Sequence, residues 1–81
     1  MNNYAVLSNE QVEQHGVAEA CAAAEWVQAP TGDYSLCVVN VPGLGHVTTG
    51  ADYGGAWDLL LCPPGVTTVA QVVADIEQGV A

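Results

Sequence analysis

Two histidines, three cysteines and nine carboxylates are the side chains of this 81-residue sequence with the most chemistry to offer. Cys37 or Cys62 beside His46 would form a thiol–imidazole nucleophile, because such pairs meet in space and need not be neighbours in sequence. His15 and His46 with a carboxylate would form a metal site, but there is no His-Glu-x-x-His run and no calcium-binding loop. Asp52 and Asp58 would be the paired acids of a glycosidase if they converged across a cleft, which so short a chain seldom builds. Pro42-Gly43-Leu44-Gly45-His46 is rich in glycine, yet too short for a phosphate loop and without a Lys to reach a phosphate. None of these groups stands in a catalytic motif, so the residues point away from an enzyme, and no cofactor or metal is expected. Cys21, Cys37 and Cys62 are odd in number and widely spaced, with no Cys-x-x-Cys pair. They read as buried free thiols and not as a disulfide framework or a zinc site.

The charge balance says more. The chain carries nine Asp and Glu and no Lys or Arg. With ordinary usage of basic residues, an absence of this kind arises by chance with odds on the order of one in ten thousand or worse. Except through His15 or His46, no side-chain salt bridge can form, so the carboxylates face water or a partner uncompensated. Neutralisation of phosphates by Lys and Arg, the main source of nucleic-acid affinity, is not available to this chain. Attraction to anionic lipid is excluded on the same ground. A basic protein surface remains as the attractive partner. Net charge away from zero also keeps small proteins dispersed, but solubility needs only an excess of acids and not the loss of every base.

Hot spots of protein interfaces favour Trp and Tyr. Gly50-Ala51-Asp52-Tyr53-Gly54-Gly55-Ala56-Trp57-Asp58 carries one Tyr, one Trp and two Asp on glycine-bearing chain, a composition similar to adaptable binding loops. The other reading of this stretch is a plain hairpin connection with Trp57 turned inward. The residues expected to meet a partner are Glu10, Glu13, Glu19, Glu25, Asp33, Asp52, Tyr53, Trp57 and Asp58.

The elements that must position them follow from periodicity. Tyr4 to Leu7 is a short apolar strand. Ser8 and Gln11 form a capping box opening a helix that runs to about Gln28, where Pro30 and Gly32 end it. Its stripe is Val12, Gly16, Ala20, Ala23 and Val27, with Gly16 a point at which the helix can bend or break. Tyr34 to Val41 is a strand apolar on both sides, hence central. Pro42-Gly43 is a type II turn, after which Leu44 to Thr49 returns as a weaker antiparallel strand. Gly50 to Gly55 is expected as a flexible loop and Ala56 to Cys62 as a further strand, stopped by Pro63-Pro64-Gly65. Thr68 and Gln71 form a second capping box, and Val69, Val72, Val73, Ile76 and Val80 share one helical face, with Gly79 at the C′ position. The expectation is one α+β domain over residues 1–81. In it an antiparallel sheet of three to four strands carries two helices on one face, in the order β-α-β-β-β-α.

In size, charge and Ala/Val-rich composition, the whole chain resembles the small phage-encoded inhibitors called anti-CRISPR proteins, several of which mimic nucleic acid. That resemblance implies a CRISPR effector complex, such as a type I complex, as the target, with its DNA-binding surface blocked. It assigns a role to no individual residue. It also implies residence in the cytoplasm of a bacterial host. That location fits an N-terminus, Met-Asn-Asn-Tyr, with no basic and apolar leader, and the absence of any apolar run long enough to span a membrane. The alternative is a phage virion or assembly protein, a capsid decoration or connector subunit. High apolar content in a short chain suits permanent packing against neighbours. Homodimerisation fits either reading, because few charges guard the exposed Val, Leu and Ala.

Overall fold

The fold is organised by one strand that is apolar on both faces. In the computed structural model, which describes residues 3–79, strand β3 (Tyr34–Val41) alternates between two separate cores. Successive side chains of a strand point to opposite faces. Cys37, Val39 and Val41 pack with Leu7, Val17, Cys21 and Val47, while Tyr34, Leu36 and Val38 pack with Cys62, Val72 and Val73.

Around β3 the chain lays down β1 (Ala5–Val6), helices α1 (Asn9–His15) and α2 (Val17–Ala23), β2 (Val27–Gln28), β4 (Gly45–Asp52), β5 (Gly55–Ala56), β6 (Leu60–Leu61) and helix α3 (Val69–Glu77). The described strands form one antiparallel sheet in the order β1-β6-β4-β3-β2, with β5 also paired to β4. An α+β architecture is therefore present, with six strands and three helices in place of three to four strands and two helices. The helices do not all share a face. Helix α2 covers the Cys37 side and α3 the Leu36 side, because a central strand with no polar face needs cover on both.

The single helix expected to Gln28 is two short ones. Gly16 adopts the left-handed conformation (φ 62°, ψ 37°), closing α1 and opening α2. The break resets the helical phase, so Val17 and Cys21 enter the core, while Ala23 and Val27 of the expected stripe are exposed. After Ala23 the chain turns extended, and the Trp26 indole donates to the Cys21 carbonyl at 2.9 Å, joining the Ala24 amide that donates to it at 3.3 Å. Val27 is thereby released to pair with Leu36.

Both capping boxes form: the Gln11 amide donates to the Ser8 hydroxyl at 3.1 Å, and the Gln71 amide to that of Thr68 at 3.2 Å. Val72 and Val73 of α3 are buried, Val69 and Ile76 are partly so, and Gly79 takes a positive φ of 67° after the helix; Val80 lies outside the described residues. The Pro42-Gly43 turn closes as expected, with Gly43 at φ 81° and the Leu44 amide on the Val41 carbonyl at 3.0 Å. The return strand is as long as β3 and better buried, pairing with it in register from Val41↔Gly45 to Tyr34↔Asp52.

All three cysteines are buried and free. Burial pushes the Cys21 and Cys62 thiols from 9.0 up to about 11 and raises that of Cys37 as well. Burial and the bond to Asp75 raise the Tyr4 hydroxyl in the same direction. Each group favours its protonated form when folded, so its contribution is intact below the unfolded pKa and is lost as pH climbs through the folded one. Unfolding free energy from urea melts is expected to be flat from pH 7 to about 8.5 and to fall steadily towards pH 11. A thiol reagent at pH 7.5 should label the three cysteines only after unfolding; rapid labelling of the native chain would contradict their burial.

Candidate functional site

The stretch expected as a flexible loop is ordered strand and turn. Gly50, Ala51 and Asp52 belong to β4, Tyr53-Gly54 form a tight corner, and Gly55 and Ala56 return as β5. The strand expected from Ala56 to Cys62 is interrupted. Ala56 pairs with Ala51, but Leu60 pairs with Thr48, so one residue is extra on this side and the chain bulges at Trp57 and Asp58. The Thr49 hydroxyl serves the two carbonyls that the bulge frees, donating to Asp58 at 3.1 Å and to Trp57 at 3.4 Å.

The bulge aims Trp57 across the sheet. Its ring lies over Gly50, where a Cβ would come within 2.6 Å of Cε3 and Cζ3 and within 2.5 Å of the Ser35 carbonyl oxygen. It also meets the Tyr34 ring at 5.4 Å between centroids with a 41° tilt. The indole N–H donates to Asp52 Oδ2 at 3.1 Å, and the Gly54 amide donates to Asp52 Oδ1 at 2.7 Å. These two donors, the indole first, hold the Asp52 carboxyl below its ordinary pKa although the group is exposed. Tyr53 at the corner is 92% exposed.

Two depressions flank this hairpin. One, at the end of the sheet, is lined by Trp26, Asp33, Tyr34, Asp52 and Tyr53 among others, with a volume of about 250 Å³. The other, of about 450 Å³, is lined by Ala56, Trp57, Asp58, Leu60 and Ile76. Of the residues expected to meet a partner, Asp33, Asp52, Tyr53, Trp57 and Asp58 thus fall in one region. Glu25 stands next to Trp26 in sequence. Glu10, Glu13 and Glu19 are exposed on α1 and α2, across the sheet from the Trp57–Ile76 depression.

Three participants did not stand out in the sequence. Trp26 joins because α2 ends early. Tyr34 joins as the floor under Trp57, its hydroxyl occluded and without a hydrogen-bond partner among the described residues. Burial raises its pKa, and the charges of Glu77, the last residue of α3, and of Asp33 raise it further. A carboxylate at the C-terminal end of a helix is exposed to the unfavourable end of the helix dipole, and this is the one signal by which Glu77 could have been noticed.

His46 and Cys62 are cross-strand neighbours, the Cys62 amide donating to the His46 carbonyl at 2.9 Å and both residues lining one depression, but among the described residues no side-chain hydrogen bond joins either histidine to a cysteine; the His15 ring lies beside Gly43. Among the described residues, no group of three or more His, Cys, Asp or Glu side chains is placed to hold a metal ion, and no helix is long and apolar enough to cross a membrane. Comparison with protein-family models, curated proteins and solved structures returned no match to this chain.

Two measurements test the hairpin. Gly50→Ala should cost about 1–3 kcal/mol in urea melts, because the new methyl meets backbone and a packed ring, and should red-shift Trp57 fluorescence. In acid, the Trp57 indole N–H resonance should titrate with a midpoint below 3.8 as Asp52 protonates, so that the bond is present above that pH and lost beneath it. The Trp26 indole, bonded to a carbonyl, should not follow; identical behaviour of the two would contradict the assignment.

Proposed function

We propose that this chain is an acidic inhibitor that binds the basic, nucleic-acid-binding surface of a partner protein and occludes it as a nucleic-acid mimic. One observation carries the reading: eight of the nine carboxylates are exposed, and the chain contains no Lys or Arg to neutralise any of them. The best-supplied stretch of that surface is the hairpin end, where Asp33, Asp52 and Asp58 line depressions shared with Trp57, Tyr34, Trp26 and Tyr53. Carboxylates there would take the place of phosphates on the partner's Arg and Lys, each well-made charge-assisted bond contributing about 1.5–3 kcal/mol net. The aromatic rings would supply the desolvated contact that charge alone lacks. The uncompensated field would also accelerate encounter with a basic partner. The resemblance in size, charge and composition to anti-CRISPR inhibitors makes a CRISPR effector of type I the first partner to try.

A second reading, a subunit of a virion or other assembly, is favoured by one feature of the sheet. β2 pairs with β3 only at Ser35 and Leu36, and the Ala29 amide takes the Tyr34 carbonyl. By alternation, the N–H and C=O groups of Val38 and Asn40 point to the same outer edge, along which no described strand runs. An open, uncharged edge of this kind is a template for another strand.

The two readings predict opposite salt responses. With a purified type I effector, raising salt from about 50 to 500 mM should weaken the complex at least tenfold, and duplex DNA should compete with the inhibitor. Neutralising Asp33, Asp52, Asp58 and Glu77 together should weaken binding by about a hundredfold or more. Salt-tolerant self-association, with no effect of these four changes, would instead support the assembly subunit.

A further inference from the structure

The depression between the bulge and α3 carries an inference that rests on the basic-partner reading and makes it specific. Its walls are Trp57, Leu60, Ile76 and Ala56, and its only charged lining residue is Asp58. It holds about 450 Å³, room for one long side chain. Beside it Asp52 is bonded to the Trp57 indole. A carboxylate at the rim of an apolar slot suits a side chain with a methylene stem and a cationic head.

We propose that this depression is a receptor for a single arginine side chain of the partner. The stem would lie against Leu60 and Ile76, the planar guanidinium would stack on the free surface of the Trp57 ring, and Asp58 would accept its N–H groups. Three features favour arginine over lysine. A guanidinium stacks on an indole, gives up water more readily than an ammonium and fits a carboxylate with two parallel bonds. The ring is held for this role before any partner arrives. Gly50 lets it lie flat on β4, Tyr34 abuts it, and Asp52 fixes its N–H, so little ordering remains to be done on binding. No cation of the chain competes for the slot.

The test uses the whole protein with hexa-arginine and hexa-lysine peptides at low salt, followed by amide and indole NMR shifts and by titration. Hexa-arginine is expected to bind several-fold more tightly than hexa-lysine, with its largest shifts at Ala56, the Trp57 indole, Asp58, Leu60 and Ile76. Asp58 is exposed and its side chain makes no hydrogen bond among the described residues, so Asp58→Asn should leave the urea melt unchanged. That variant should lower hexa-arginine affinity by roughly tenfold and hexa-lysine affinity by less. Glu10→Gln with Glu13→Gln should affect both peptides equally and slightly. Equal binding of the two peptides, with shifts centred on α1 and α2 and no effect of Asp58→Asn, would overturn the slot while leaving a basic partner in place. If neither peptide bound at low salt, both the slot and the basic-partner reading would be overturned.

Discussion

With no Lys or Arg in the chain, nearly every negative charge must be left to water or stabilised by a neutral donor, and the rest of the structure is arranged around that constraint. Burying an unpaired carboxylate is costly, so acids are kept out of the sheet interior. No Asp or Glu occurs between Asp33 and Asp52, the span that contains the whole β3–β4 hairpin but for its last residue. The central hairpin can therefore be apolar on both sides, and the charges are pushed to helix surfaces, turns and the bulge. The acidic surface and the two-sided core are two consequences of one composition.

Neutral donors do what ion pairs do elsewhere. Asp52 is held by an indole and a backbone amide, and Asp75 accepts from the Tyr4 hydroxyl at 2.7 Å, tying the segment before β1 to α3. The helix ends are satisfied in the same way, by Ser8, Gln11, Thr68 and Gln71 and by the Trp26 indole. The bonds to Asp52 keep that carboxylate charged without hiding it, so its charge stays available to an incoming partner.

The cost of the arrangement is paid in shape. Two half-cores, one on each face of the sheet, leave little depth anywhere in a chain of this length, and the depressions at the hairpin end are shallow and rimmed by acids. Geometry of that sort suits a protruding side chain of a partner better than an enclosed small molecule. The edge of the sheet at Val38 and Asn40 is also open, and its neutrality there contrasts with the acidic surface elsewhere.

The sequence by itself determined what depends on neighbours a few residues apart. Both capping boxes, the type II turn at Pro42-Gly43, the strand from Tyr34 to Val41 and the exposure of Glu10, Glu13, Glu19 and Glu25 are set by short-range hydrogen bonding, φ preference and alternation. The α+β class followed from these. Tertiary structure decided what depends on pairing across the chain. Trp26 took a carbonyl of α2 and released Val27 to β3, and Gly16 shifted the buried stripe to Val17 and Cys21. Pairing of Gly55 and Ala56 with Asp52 and Ala51 turned an expected loop into a hairpin, and the one-residue bulge that follows aimed Trp57 over Gly50. Whether helices cover one face or both was likewise decided only when the two apolar sides of β3 had each to find a partner, because burial is a property of the assembled sheet and not of any segment alone.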